Sequence, residues 1–479
     1  MKDLREYLDL LKTKNELKIV NVEVDPELEI TEIADRIVKT TGKTILFNKI
    51  KGSNIPVVIN LFGSERHMSY ALGVKEAKDI GESLTDLLKI KMPTSILDTL
   101  KMLPMLKEIS SYAPKIKNNA PWMEVEEKDL SFLPALKCWP NDGGRYITLP
   151  LVITKDPVNG IRNVGMYRLQ IYDSKTIGLH WQAHKGGAYH YSQAEKMNRP
   201  LEVAIALGSD PATIFSAAVP LPEDVDEFLF SGYIRKENVE LTKCFTVDLE
   251  VPRESEIVIE GIAMPNERKL EGPFGDHNGY YSPPEMFPYM HVTSIHRRKD
   301  AIYPTTIVGK PVMEDAYIGK AVEQLTMPII KFIIPEIKDI NLPVESVFHN
   351  LAIVSIQKRY PGHAKKVAMG LWGLGMLSLT KIVIVLDEDV NVHDLKEVLW
   401  ATTTRIDPYR DVSILNFTPT DTLDHASPLL NYGSKMLIDA TKKWKEEGYT
   451  RTWPEVISMK KEIVDLVSKR WKEYGLDKN

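Results

Sequence analysis

The middle third of the sequence is rich in strand signals and poor in helix signals, and this constrains the fold more than any other feature. Runs of β-branched and aromatic residues recur there, separated by turn-forming residues. They lie at 146–154, 162–172, 177–182, 243–251, 256–264 and 290–297. Successive strands with few intervening helices predict a barrel or a strongly bent sheet.

The regions before and after this segment alternate between helix and strand signals, which is typical of α/β structure. Apolar residues recur at helical spacing from Leu4 and again from about Ile30, and short strand-like runs follow at 44–47 and 55–60. A buried strand at 381–386, a helix at 393–405 and a strand at 412–417 predict a parallel sheet near the C-terminus.

The tail from Ser434 is predicted to be helical, with apolar positions able to pack on the body of the protein or on a partner subunit. These are Trp444, Trp453, Ile457, Ile463 and Val467.

The charge balance excludes several classes of protein. The 479 residues include 61 Lys and Arg against 66 Asp and Glu, a net charge of −5, so we expect no nucleic-acid partner, which would require a basic bias. No apolar run approaches the roughly 20 residues of a membrane-spanning helix, and the N-terminus lacks the apolar core of a signal peptide. With only Cys138 and Cys244, the sequence predicts a cytoplasmic protein without disulfides.

A loop at 271–279, Glu-Gly-Pro-Phe-Gly-Asp-His-Asn-Gly, is the strongest candidate for catalysis. Its glycines and proline forbid a regular helix and favour a tight turn. Such a turn can point Glu271 and Asp276 into one cavity, where one carboxyl group could have a raised pKa and donate a proton while the other stays ionised. A polar surface turn is the alternative interpretation.

A second candidate joins the segment Asn163–Arg168 to the hairpin that follows it. On a strand His180, Gln182 and His184 would share one face, whereas on a helix the two histidines would have a zinc-like spacing. The adjacent Lys185-Gly186-Gly187 could bind a phosphate. Asn163 and Arg168 lie an odd number of residues apart, so a regular strand would place them on opposite faces.

An acidic cluster around Glu227 is usually a solvated helix start. A carboxylate together with an amide oxygen also suits Mg²⁺ or Mn²⁺, so Glu227 could pair with Asn163 if the fold brings them together. The dinucleotide fingerprint, the phosphate-binding P-loop and the C-x-x-C motif are missing from the sequence.

Several collinear motifs resemble those of the UbiD decarboxylase family. They are Asn-Val-Gly-Met-Tyr-Arg at 163–168, Glu-Gly-Pro-Phe-Gly-Asp-His at 271–277 and Lys-Ile-Val-Ile-Val-Leu-Asp-Glu-Asp at 381–389. Further matches at 25–35, 207–213, 248–252 and 360–366 extend the resemblance through nearly the whole chain.

The resemblance implies a fold of three parts: an N-terminal α/β region (1–115), a central split β-barrel like that of flavin reductases (116–312), and a long linker helix leading to a C-terminal α/β oligomerisation domain (313–479). It implies a homodimer or homohexamer, with prenylated FMN supplied by a separate flavin prenyltransferase. It also implies Mn²⁺ or Mg²⁺, with K⁺ as an optional second ion, and Asn163, His184 and Glu227 as the metal ligands. His180 is the rival of His184.

The resemblance further implies the roles of individual residues. Arg168 would hold the substrate carboxylate, Glu271 would interact with Arg168, and Asp276 would deliver the proton that replaces CO₂. The cofactor would be bound by Asn163, Met166, Tyr167, Arg168, His180, Trp181, Gln182, Lys185, Gly186, Glu227 and Lys381.

The predicted activity is the reversible, non-oxidative decarboxylation of an aromatic or α,β-unsaturated acid, such as a 4-hydroxybenzoate derivative. Decarboxylation leaves an electron pair on carbon, and a cofactor is needed to accept it. One alternative within the family is the decarboxylation of anhydromevalonate phosphate in an archaeal isoprenoid pathway. Two others are a non-catalytic flavin-binding subunit and a metal hydrolase built on His180 and His184.

Overall fold

The structure, a computed structural model, describes residues 1–89, 107–182, 185–222 and 225–476. The predicted metal ligand His184 lies outside these residues. The described chain forms an N-terminal α/β unit, a curled central sheet and a C-terminal α/β unit. The three-part α/β architecture predicted from the sequence is therefore confirmed.

The N-terminal unit packs helices against a sheet of four strands. The side chain of Asp3 accepts a hydrogen bond from the backbone of Glu6 and so caps the first helix, which buries Leu4, Tyr7 and Leu11. The fourth strand, Tyr303–Pro304, returns from the end of the central region and ties the two regions together. The helices are Leu4–Thr13, Glu29–Val38, Glu65–Leu72 and Lys78–Leu88, and the other strands are Leu17–Val24, Thr44–Ile50 and Val57–Ile59.

The central region is built on a nine-stranded antiparallel sheet that curls into a half-barrel. Its longest strands, Ile257–Glu271 and Glu285–Arg297, pair with each other. The remaining strands are Val125–Glu126, Arg145–Ile147, Leu151–Lys155, Arg162–Gly165, Leu169–Ile171, Thr176–Gly178 and Leu201–Leu207. The helices Gly186–Lys196, Pro211–Ser216 and Glu227–Arg235 pack around it.

Two smaller sheets accompany the half-barrel. One contains Lys115–Lys117, Glu240–Lys243 and Glu250–Pro252, and the other pairs Phe274–Gly275 with Tyr281–Ser282. The second is the base of the candidate acid loop, so pairing on both sides fixes the position of Asp276.

The helix Glu314–Ile333 leads into the C-terminal unit, whose sheet has five strands. Leu351–Ile356, Ile382–Asp387 and Tyr432–Asp439 are parallel, and antiparallel strands Ile337–Asn341 and Val412–Pro419 form the edges. Val383 and Val385 are fully buried, as expected for a strand covered on both faces. The helices are His363–Trp372, Leu395–Arg405, Pro408–Asp411 and Lys461–Lys469.

Five predictions about local structure are wrong. The predicted strand 146–154 is interrupted at 148–150, the strand 162–172 at 166–168 and the strand 243–251 at 244–249, and the strand 177–182 ends at Gly178. The tail from Ser434 does not begin as a helix: residues up to Asp439 form a strand, because their neighbour Ile382–Asp387 offers a buried parallel partner. Only Lys461–Lys469 of the predicted helical tail is α-helical among the described residues.

Candidate active site

Arg168, Glu271 and Asp276 meet in one buried cluster at the end of the half-barrel. Glu271 ends the long strand Ile257–Glu271, and its oxygens accept hydrogen bonds from Arg168 Nε (2.9 Å) and Nη2 (3.0 Å). Arg168 Nη1 donates to Asp276 Oδ2 at 2.5 Å. The two parallel hydrogen bonds from Arg168 to the Glu271 carboxylate need a guanidinium, so lysine could not form them.

The break in the strand after Gly165 resolves the odd spacing of Asn163 and Arg168. Asn163 lies within the strand Arg162–Gly165, whereas Arg168 lies in the irregular link before Leu169–Ile171. The alternation of a regular strand therefore does not apply between them.

The electrostatics of the cluster keep both carboxyl groups ionised. Burial alone would raise the pKa of Glu271, but hydrogen bonds from His180 and the charge of Arg168 lower it to about 2. Burial is likewise outweighed at Asp276, where His277 and Arg168 hold the pKa well below its usual range. The expectation that one of these carboxyl groups has a raised pKa is wrong for the resting protein.

His180 belongs to this cluster, and its imidazole ring hydrogen-bonds to Glu271. Its Nδ1 lies 3.1 Å from Glu271 Oε2, and its ring packs 4.2 Å from the ring of Phe287. Burial and the nearby Arg168 lower the pKa of His180, although Glu271 opposes this. The structure thus gives His180 a carboxylate partner.

A cradle of backbone and amide groups lies beside the cluster, at the start of the helix Gly186–Lys196. The Tyr167 hydroxyl accepts from Asn163 Nδ2 (3.3 Å) and from the backbone of Gly187 (3.4 Å). A Cβ at Gly186 would lie 2.1 Å from Asn163 Oδ1, so no larger residue fits there without a shift. Burial lowers the pKa of the Lys185 ammonium at this helix terminus. The arrangement suits an anionic group such as a phosphate.

Glu227 is a buried carboxyl group beside the strand that carries Asn163. Its carboxylate accepts from the backbone of Val164 at 3.0 Å, and burial raises its pKa to about 7. Among the described residues no group of three or more His, Cys, Asp or Glu side chains is arranged to hold a metal. A carboxylate, an amide oxygen and a further ligand nevertheless form the oxygen-rich set that Mn²⁺ and Mg²⁺ prefer, so Glu227 and Asn163 fit a divalent ion.

Replacing Glu227 by glutamine is expected to weaken Mn²⁺ binding at least about 10-fold, because it removes the negative ligand. Mn²⁺ should raise the melting temperature of the wild-type apo-protein and should not raise that of E227Q at the same concentration. The exposed Glu237, just beyond the end of the helix Glu227–Arg235, gives the matched control Glu237→Gln. An equal metal-induced rise in E227Q and wild type would remove Glu227 from the metal site.

The structure separates the other predicted cofactor-binding residues into two groups. Trp181 lies at the cradle, where a Cβ at Gly187 would come within 2.6 Å of Trp181 Nε1. Met166 precedes Tyr167 in the chain, and its backbone N–H donates to the carbonyl of Ala217. Gln182 is next in the chain, and its carbonyl accepts from the backbone of Lys185. Lys381 instead lies in the C-terminal unit, where its ammonium binds Asp424 at 2.7 Å.

The C-terminal unit covers the acid loop with residues that the sequence analysis did not identify. Asn278 Nδ2 donates to the carbonyl of Leu423 (2.9 Å). His277 Nε2 lies 2.8 Å from Nε2 of His349. His277 could have been noticed from its place beside Asp276, but nothing in the residues around His349 indicates that it returns to a loop 72 positions earlier.

Three domain models of one protein family match most of the chain. Models of the N-terminal, Rift-related central and C-terminal domains of 3-octaprenyl-4-hydroxybenzoate carboxy-lyase, named UbiD, match residues 8–84, 107–311 and 316–440. An uncharacterized protein from Archaeoglobus fulgidus is 54% identical over 98% of both chains.

Two solved enzymes share the whole fold. The closed form of vanillic acid decarboxylase from Sedimentibacter hydroxybenzoicus is 29% identical with a TM-score of 0.85, covering 100% of this chain and 99% of that one. The open form of the same enzyme has a TM-score of 0.79. The UbiD-class enzyme HmfF from Pelotomaculum thermopropionicum, solved with FMN, is 31% identical with a TM-score of 0.80, over 95% and 97% of the two chains.

Within the described ranges, no helix is long and apolar enough to cross a membrane. The matched domains follow one another in the same order as the three parts of the fold and together span most of the chain. The protein therefore belongs to the UbiD family of carboxy-lyases.

Proposed function

We propose that this protein is a decarboxylase of aromatic acids that uses prenylated FMN and a divalent metal ion. The observation that carries the proposal is the cluster in which Arg168 joins Glu271 and Asp276, beside a cradle suited to an anion. The resemblance to vanillic acid decarboxylase and to HmfF, of which an evolved form has been solved with prFMN, supports it.

Asn163, Glu227 and Lys185 are proposed to hold the phosphate end of the cofactor, the first two through Mn²⁺ or Mg²⁺. His184 completes the proposed metal ligands. Prenylated FMN supplies the electron sink that decarboxylation requires. Tyr167 and Trp181 are proposed to contact the flavin, and a separate flavin prenyltransferase to supply it.

Arg168 is proposed to hold the substrate carboxylate while keeping its hydrogen bonds to protein residues. A guanidinium has five N–H donors, and the hydrogen bonds to Glu271, Asp276 and Ser282 use four of them. One Nη1 donor is left for a substrate, as counted over the described residues. Glu271, fully buried, fixes the guanidinium so that this donor keeps its direction, and Asp276 delivers the proton.

A panel of acids tests the substrate class. Reconstituted enzyme is incubated with hydroxybenzoic acids, acrylic acids and a phosphorylated isoprenoid acid, and CO₂ release is measured. We expect turnover of aromatic acids. Turnover of the isoprenoid phosphate alone would replace this proposal by the anhydromevalonate phosphate alternative, which the vanillic acid decarboxylase resemblance does not support.

We also propose that the protein assembles as a homodimer or homohexamer in the cytoplasm. The C-terminal segment exposes apolar side chains that a partner subunit could cover. Both cysteines are free thiols, which fits the reducing cytoplasm. Light scattering on the purified protein measures the mass, and a monomer would contradict the assembly. The exposed residues include Val456, Ile457, Met459, Val464, Leu466 and Trp471.

A further inference from the structure

Asp276 has a proton donor at each of its oxygens. Oδ1 accepts from the backbone N–H of His277 (2.8 Å) and faces His277 Nδ1 (2.9 Å), while Oδ2 accepts from Arg168 (2.5 Å). A carboxyl group surrounded by donors is stabilised in its ionised form. An ionised carboxylate has no proton to give, so the proton that replaces CO₂ has to be held on a neighbouring group.

His277 is the neighbour with the right geometry. Because its Nδ1 faces a carboxylate oxygen, that nitrogen carries a hydrogen. Its other nitrogen, Nε2, lies 2.8 Å from Nε2 of His349, and one member of such a pair has to donate. If His277 donates at both ends, its ring is an imidazolium and His349 is a neutral acceptor.

The charges around the two rings favour this assignment. His277 faces the carboxylates of Asp276, Asp315 and Asp421, which together outweigh burial and raise its pKa. Burial and the charge of His277 lower the pKa of His349 to about 4. The positive groups nearby are Lys185, which acts on His349, and Arg168, which is already neutralised by Glu271 and Asp276.

His349 is held against His277 by a strained turn of the C-terminal unit. Val347 and Phe348 have φ values of 62° and 36°, in the left-handed region that L-residues seldom adopt. The Phe348 ring stacks on His277 with its centroid at 5.3 Å and an interplanar angle of 27°. Backbone strain of this kind persists where the surrounding structure fixes it and is frequent at functional sites.

We propose that the proton delivered to the product carbon is stored on His277, in contact with His349, and passes to the substrate through Asp276. His277 is a positioning residue that acts through Asp276. The inference rests on the proposed decarboxylase function and adds the source of its proton.

The proton moves from His277 to the product carbon in two transfers. The Nδ1–H bond of His277 breaks as an Oδ1–H bond forms on Asp276. That O–H bond then breaks as a C–H bond forms with the electron pair that departing CO₂ leaves on carbon. Asp276 returns to its carboxylate form, and a proton from bulk water restores the imidazolium before the next turnover.

Two readouts test the proposal. The first is an NMR titration of the apo-protein with ¹³C at histidine Cε1, in which the His277 signal is assigned by its loss in His277→Asn. We expect His277 to titrate above 6.5 and His349 to stay neutral at pH 6. A His277 midpoint below 6.5 would overturn the proposal.

The second readout is the pH dependence of kcat/KM of the holoenzyme. We expect activity to fall as pH rises through the His277 midpoint, because the imidazolium loses its proton there. His277→Asn, whose amide can still donate to Asp276 but cannot hold the proton, should lose about 10²-fold or more in kcat at pH 7. Its flavin content should not change. Retention of wild-type kcat and of the alkaline limb in H277N would show that His277 is only structural.

His291→Gln is the matched control, because His291 also pairs with a carboxylate, Glu267 (2.7 Å), but lies on the surface. It should keep wild-type kcat and pH dependence. If H277N fails to fold, the His277 signal is assigned instead through its couplings to its own backbone in the wild-type protein, and that titration decides. The titration needs no substrate, so its failure is distinguishable from the failure of the acid panel, which tests the proposed function.

Discussion

Replacing Asp276 by asparagine is expected to lower kcat by about 10²–10⁴-fold, the range that a positioned general acid contributes. Asparagine can still accept a hydrogen bond from Arg168, so the cluster should hold together, but an amide cannot pass a proton to carbon. Among the described residues Asp276 hydrogen-bonds to Arg168 and His277 and not to the cradle residues Asn163 or Lys185, so flavin content and KM should change little. Single-turnover rates on the reconstituted variant measure the effect.

The matched control is Asp173→Asn, in the turn between Leu169–Ile171 and Thr176–Gly178. Within the described part of the chain Asp173 bonds to Lys175, Thr176 and Lys269, and it should be replaceable without loss of kcat. An Asp276→Asn enzyme that lost its flavin but kept full activity per bound flavin would contradict the assigned role.

Replacing Arg168 by methionine is expected to destabilise the protein by about 3–5 kcal/mol at pH 7, the cost of leaving buried charges without their partner. Glu271 is fully buried and Asp276 nearly so, and both rely on this guanidinium. Catalysis should be lost as well, because the group proposed to hold the substrate carboxylate is gone.

The destabilisation should depend on pH. Without Arg168 the folded-state pKa of Glu271 and Asp276 rises, so the variant regains stability as pH falls toward the ordinary carboxyl range and loses it as pH rises. Urea unfolding at pH 5 and pH 7 measures this. Arg199→Met removes an exposed arginine and serves as the control. An Arg168→Met variant that unfolds like wild type at both pH values would exclude a central role for this arginine.

Sequence patterns predicted the architecture well where local periodicity and packing agree. The buried strand Ile382–Asp387 and the helix Leu395–Arg405 lie close to their predicted positions. The pattern failed for the tail from Ser434, where Lys435, Met436 and Leu437 form a strand because Ile382–Asp387 lies beside them. That partner is about fifty residues earlier in the chain, beyond the reach of local propensity. The domain boundaries at 115 and 312 stay predictions.

The candidate site shows a similar division. Motif resemblance selected Arg168, Glu271 and Asp276, and these three do come into contact. Their ionisation could not be predicted, because it depends on His277 and on the enclosure of the loop. His349 could not be predicted from the sequence, because only the folding of the C-terminal unit over the barrel brings it to the site.

The most direct test of this account is the cofactor itself. The protein is co-expressed with a flavin prenyltransferase in medium containing Mn²⁺, and the absorbance spectrum, the mass of the released flavin and the metal content are measured. The account predicts close to one prenylated flavin and one divalent ion per chain, both reduced in Glu227→Gln. A folded protein that binds no flavin under these conditions would contradict it.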